Sequence, residues 1–244
     1  MKWGQAGTAG SRFKLVLAIV LVLLLFSMVF LFACASDQSK LQEQKAASIS
    51  YQEYADIFEK YGISGATSDM LEKLEQYYDE TPEDARLNRG IDLLIELGTG
   101  TYDYDSSGTT WTPSENGVYA FDTEMYDLNE MYMDFLSGVS ALNREELSFT
   151  DVSENTDDVD WENGTGSRSV SFSWNGKTYT LNAEMYNDWF DTDVATQLND
   201  IIKKNGNGKQ LYFLSDGYQE LIILYLEPDQ ATQFENDTGL QFLE

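Results

Sequence analysis

The spacing of hydrophobic positions changes several times along this chain, and each change marks a different kind of element. Leu15 to Ala35 is a run of 21 residues without a charge. As a helix it reaches about 30 Å, the thickness of a bilayer's hydrocarbon core. Residues 36–50 are polar and predict a tether. From Tyr51 the pattern is helical: Tyr51, Tyr54, Ala55 and Phe58 fall at i, i+3, i+4, i+7, and Met70, Leu71, Leu74, Tyr77 and Tyr78 repeat the stripe. Thr81-Pro82, followed by Glu83 and Asp84, predicts the start of a third helix with Leu87, Ile91, Leu94 and Leu97 on its inner face. A fourth begins after Asp122-Thr123 and carries Leu128, Met131, Tyr132, Phe135, Leu136 and Val139. Between the third and fourth, Gly98 to Phe121 predicts a long loop or an irregular hairpin. Residues 153–168 are rich in Asp, Asn and Gly and predict an acidic linker or exposed loop.

The period then falls to two. Val170, Phe172 and Trp174 alternate with serines, Asn175-Gly176 supplies a two-residue turn, and Tyr179 and Leu181 continue on the far side. That turn places Trp174 opposite Lys177, Phe172 opposite Tyr179 and Val170 opposite Leu181, so turn and pattern agree on register. A helix follows, with Asp191 and Asp193 at its start, Val194, Leu198, Ile201 and Ile202 inside, and Lys203 and Lys204 at its end. Gln210–Leu214 and Glu220–Leu226 predict two more strands, the second buried on both faces. Pro228 opens a short last helix, ended by Gly239. The expected fold class is α+β: a mainly helical region over 51–152, then a ββαββα region over 169–244 with one mainly antiparallel four-stranded sheet.

Composition narrows the chemistry. The chain has no histidine and one cysteine. Imidazole-based catalysis, His-ligated zinc, internal disulfides and multi-cysteine clusters are therefore excluded. The 42 acidic and 15 basic residues give a net charge of −27, which argues against nucleic acid as a partner. Three of the basic residues, Lys2, Arg12 and Lys14, precede the apolar run and no acid comes before Asp37. This asymmetry keeps the N-terminal end cytoplasmic and sends the rest across the membrane.

At the end of the apolar run stands Leu31-Phe32-Ala33-Cys34. It resembles the bacterial lipoprotein signal, in which a leucine three residues before a cysteine and a small residue just before it direct cleavage and lipidation of the thiol. Leu31, Ala33 and Cys34 match; Phe32 departs from the usual small or β-branched residue. The resemblance covers only the first 35 residues and implies lipidation at Cys34. The length of the run favours an uncleaved anchor helix instead. Both readings hold residues 36–244 to a membrane on its exported side.

Candidate sites are few. Asp103, Asp105 and Ser107 with Gly108 match the first half of a calcium loop, but position 12 is Ser114 where a bidentate Glu belongs; a polar turn is the alternative. Asp157, Asp158, Asp160 and Glu162 could bind a hard cation or supply a glycosidase acid/base pair, with a solvated loop as the alternative. Trp111, Trp161 and Trp189 are the candidate ligand-binding rings, with core packing as the alternative. No cofactor motif is present. These features point to a tethered acidic protein that binds a protein partner, in the class of envelope adaptors or immunity-like lipoproteins, or to a glycan-binding or glycan-active surface protein.

Overall fold

Ser50 opens helix α1 (Tyr51–Phe58) with a capping box: its hydroxyl accepts the Glu53 N–H, and the Glu53 carboxylate accepts the Ser50 N–H at 2.9 Å. The computed structural model describes residues 45–243 apart from 47, 106–107 and 125–129. The apolar run Leu15–Ala35 and Cys34 lie outside the described residues. Among the described residues no helix is long and apolar enough to cross a membrane. Helix α2 (Ser68–Glu80) is capped by Thr67; α1 buries its expected stripe, whereas α2 buries Leu71, half-buries Met70, Leu74 and Tyr78, and leaves Tyr77 exposed.

The third helix starts later than its sequence suggests. Thr81 ends α2, its N–H donating to Tyr77 O at 3.0 Å, and Glu83–Ala85 form one 3-10 turn. Helix α3 (Arg89–Gly98) begins at Asn88, whose side-chain oxygen accepts the Gly90 N–H at 2.8 Å. Asn88 competes as a cap, and it leaves Leu87 outside the helix. The stretch from Gly98 to Phe121 holds a hairpin, β1 (Thr101–Asp105) with β2 (Gly108–Thr112), and then β3 (Tyr119–Asp122). Helix α4 (Met131–Leu142) follows.

Residues 153–168 are not a linker. They carry the end of β4 (Thr150–Asn155), β5 (Val159–Asp160) and the start of β6 (Thr165–Trp174). Both β4 and β5 pair with β6. Their polarity resembles a loop because β4 lies at the sheet margin, exposing Thr150, Asp151, Ser153 and Asn155. Strand β7 (Lys177–Tyr186) pairs with β6 along its whole length in the register read from the sequence, Trp174 with Lys177 and Val170 with Leu181. Asn175 and Gly176 have φ of 52° and 73°, the two positive values a type I′ turn needs.

Helix α5 (Asp193–Asn205), β8 (Gln210–Ser215), β9 (Glu220–Leu226) and α6 (Pro228–Thr238) complete the chain. The single four-stranded sheet expected of the C-terminal part is not formed. β6 and β7 belong with β4 and β5, whereas β8 and β9 pair with β3 in the order β3-β9-β8. Both edges of β9 are taken, one by β3 and the other by β8, which leaves none for the β6–β7 hairpin. Strand β9 buries Ile222 and Leu224 on one face and Leu221 and Ile223 on the other, so each face takes its own packing layer.

That central sheet divides two cores. On one side Ala120, Leu214, Ile222, Leu224 and Leu226 meet α1, α3 and α6 through Tyr54, Phe58, Leu94, Leu97 and Phe234. On the other, Tyr119, Phe121, Leu211 and Ile223 meet α4, α5 and the β6–β7 face through Phe135, Val139, Phe172, Trp174 and Leu198. Both cores draw on residues 51–152 and on residues 169–244, so these regions are not separate bodies. The described chain from Lys45 onward is one compact unit. Burial of these rings and aliphatic chains supplies the main stabilising force.

Candidate functional site

The β6–β7 hairpin gives the unit a polar axis. Ten residues of strand span about 33 Å. At its turn end the cations gather: Lys177 Nζ donates to Asn205 Oδ1 at 3.2 Å, and Lys209 pairs with Glu146 at 3.2 Å. At its open end the chain is aromatic and acidic. Residues 178–202 contain no Lys or Arg, nor do residues 98–124 or 156–167, and none follows Lys209.

Four chain segments meet at that open end. Asn187 N–H donates to Gly164 O at 2.8 Å, joining the turn after β5 to the end of β7. Trp189 bridges both Tyr186 and Glu124 by backbone pairing. Phe190 N–H donates to Thr123 O at 2.7 Å, and Thr123 Oγ1 donates to Gln219 O at 2.8 Å, which brings in the β8–β9 turn. On these segments Trp161, Trp189, Tyr186 and Tyr218 are exposed by 48%, 37%, 70% and 82%, values that place each ring where a partner can reach it. The exposed acids Asp160, Glu162 and Glu124 stand among them. Asp160 accepts hydrogen bonds from the side chain and the backbone of Asn163, which lower its pKa. An open groove of about 460 Å³ runs past Trp161, Glu162, Asn163, Met185, Asn187 and Asp188.

Beneath this surface lies the one arginine of the region. Arg168 occupies a position on β6 that alternates with Val170, Phe172 and Trp174, so it faces inward and is 3% exposed. Its Nε donates to Glu154 Oε1 at 2.7 Å. Its guanidinium lies 5.2 Å from the Tyr132 ring centre and 5.7 Å from that of Trp161. Burial raises the Glu154 carboxyl, against the lowering effect of Arg168, and pushes the Tyr132 hydroxyl up to about 12. An arginine in an alternating apolar pattern next to an acid-rich stretch is the only sequence sign of this pair.

The predicted site residues fare differently. Trp161 and Trp189 stand at the same end of the unit. Trp111 does not join them: its Nε1 donates to Thr99 O at 2.8 Å and its ring packs on Tyr119 at 5.8 Å. Asp103 and Asp105 lie two residues apart on β1, paired with Thr110 and Gly108; Ser107 lies outside the described residues. An extended strand sets positions 103 and 105 about 7 Å apart instead of wrapping them round an ion. The flanks are strands where a calcium loop has helices. Among the described residues no group of three or more Cys, Asp or Glu is placed to hold a metal ion.

A carboxylate pair that sequence reading missed sits on the central sheet. Asp122 on β3 faces Glu220 on β9 in antiparallel register. Burial first, then Asp122 and Asp216, push the Glu220 carboxyl up to about 7, and its Oε2 is buried with no hydrogen-bond partner. Burial, together with Asp134, Glu220 and Asp122, also raises the half-exposed Tyr102 hydroxyl. The pair can hold a proton near neutral pH.

No protein-family model, no curated protein and no solved structure matches this chain.

Proposed function

We propose that this chain is a membrane-tethered, extracytoplasmic, non-enzymatic module that binds a protein partner through its acidic surface, as an envelope adaptor or an immunity-type lipoprotein does. The tether is the Leu15–Ala35 run, lipidated at Cys34 or retained as a helix. The observation that carries the binding role is the way the cations are used. Arg89, Arg144, Arg168, Lys73 and Lys209 are each held in an ion pair, and beyond residue 35 there are 12 basic residues against 42 acidic ones. The excess carboxylates have no internal counter-charge, and a basic partner would be steered to them at a salt-dependent rate.

The test is affinity capture with the full-length chain in detergent, exposed to native envelope and secreted fractions at low and high salt. One stoichiometric protein that salt releases is the expected result. Failure to retain any protein at either salt concentration overturns the reading.

A second reading, glycan binding, is favoured by one feature: the groove beside Trp161 is bordered by Glu162, Asn163, Asn187 and Asp188, polar groups suited to sugar hydroxyls. It predicts retained wall polysaccharide in the same capture, insensitive to salt.

A further inference from the structure

We propose that the open end of the β6–β7 hairpin is the docking surface, and that its occupant is a lysine-bearing polypeptide segment received on Trp161, Trp189, Tyr186 and Tyr218 among the carboxylates of Asp160, Glu162 and Glu124. This rests on the protein-binding reading and specifies its site and its partner's chemistry.

Three observations lead to it. First, exposed rings are collected there. Among the described residues the other large exposed hydrophobic side chains, apart from Tyr102 and Tyr104 on the neighbouring hairpin, are Tyr77 and Leu243, on α2 and at the C-terminal end. Aromatic rings with polar tips bury area on contact at little entropic cost and dominate interface energetics. Second, the segments that form this end carry acids and no lysine, and their one arginine is buried against Glu154. A neutral ligand would cover these carboxylates without neutralising them, and an acidic one would be repelled. A lysine side chain satisfies both features: its stem packs on the rings and its ammonium meets the acids. Third, the Trp161 ring already has a cation beside it, the Arg168 guanidinium at 5.7 Å from its centre. The Arg168 charge is met by Glu154 and does not repel a second cation, and nearly half of the Trp161 residue remains open to receive one.

The experiment measures the affinity of the full-length chain in detergent for three probes: a decalysine peptide, a decaglutamate peptide and chitohexaose. Trp161→Ala and Trp189→Ala leave the net charge unchanged, so they separate docking from general attraction. Tyr77→Ala removes an exposed ring from α2 as a control. The expected result is decalysine binding that each tryptophan variant weakens by roughly tenfold, that Tyr77→Ala leaves alone, and that salt weakens. Trp161→Phe should retain most of the affinity, and unchanged melting temperatures show that the variants fold. Equal binding of decalysine by all variants overturns the docking surface while leaving an acidic binding protein. Absence of decalysine binding together with capture of a native protein overturns the lysine assignment alone. Chitohexaose binding lost in Trp161→Ala overturns the polypeptide in favour of the glycan.

Discussion

Gln197 grips the backbone of Asn182 with both ends of its carboxamide: Nε2 donates to Asn182 O at 2.7 Å and Oε1 accepts the Asn182 N–H at 3.0 Å. Two residues further along α5, Asn199 does the same to Leu211, donating to its carbonyl at 2.9 Å and accepting its N–H at 2.8 Å. Asn182 is on the free side of β7 and Leu211 on the free side of β8. One helix therefore closes the open edges of two different sheets, with side-chain amides acting as a short third strand. Asp191 adds to the first seal by accepting the Glu184 N–H at 2.9 Å, and Leu243 to the second by donating its N–H to Phe213 O at 2.8 Å. Unpaired strand edges invite association, and these contacts remove that risk.

Asn199→Ala should therefore cost more than a typical polar substitution. Asn199 is buried, and its loss strands a donor and an acceptor on Leu211. A loss of about 2–3 kcal/mol is expected by urea denaturation. Gln197→Ala, at a more exposed site, should cost less than about 1 kcal/mol but raise the rate of aggregation.

Gly138 on α4 admits the Tyr119 ring so closely that a Cβ there would lie 2.3 Å from Tyr119 Cζ. Gly138→Ala is expected to destabilise by about 1–3 kcal/mol despite its better helix propensity. Tyr119→Leu in the same chain should recover part of that loss. A double-mutant cycle by thermal melting reads the coupling.

Arg168→Met leaves Glu154 buried without its ion pair and should cost about 3–5 kcal/mol near neutral pH. In the variant the Glu154 carboxyl rises further, since burial then acts without Arg168. A raised carboxyl destabilises the fold as pH increases, so the gap to the parent should narrow in acid. The double variant Arg168→Met, Glu154→Leu should regain most of the stability. Melting curves from pH 4 to pH 8, a range of conditions chosen to bracket ordinary and raised carboxyl values, check all three expectations.

Glu220 carries the sign of a buried acid. Its folded value of about 7 lies above its ordinary 4.5, so the folded state binds the proton more tightly than the unfolded one. Its contribution is complete below pH 4.5 and is lost as pH rises towards 7. Glu220→Gln should flatten that fall and raise the melting temperature at pH 8, a measurement taken about one unit above the folded value. An unchanged slope between the two proteins would place the titration elsewhere.

Local signals in the sequence were enough for elements whose decisive contacts are close in the chain. The Asn175-Gly176 turn and the alternating Val170, Phe172 and Trp174 determine the hairpin register by themselves. Helix α6, from Pro228 to its left-handed Gly239 cap, is written in its own residues, as is the burial of β9 on both faces. The start of α3 is ambiguous in the sequence because Thr81-Pro82 and Asn88 both resemble helix starts; in the fold Thr81 closes α2 and Asn88 caps α3.

The grouping of those elements was decided by tertiary structure. Strand partners far apart in the chain, such as β3 with β9, are chosen by which faces can be buried together, and no local pattern records that choice. The same holds for the candidate surface. The sequence determined that the chain is acidic, that it lacks imidazole and paired thiols, and that Trp111, Trp161 and Trp189 are candidate rings with core packing as the alternative. Only the fold determined that Trp161 and Trp189 stand together at a lysine-free end while Trp111 is half-buried against Tyr119, because exposure is a property of neighbours brought from elsewhere in the chain.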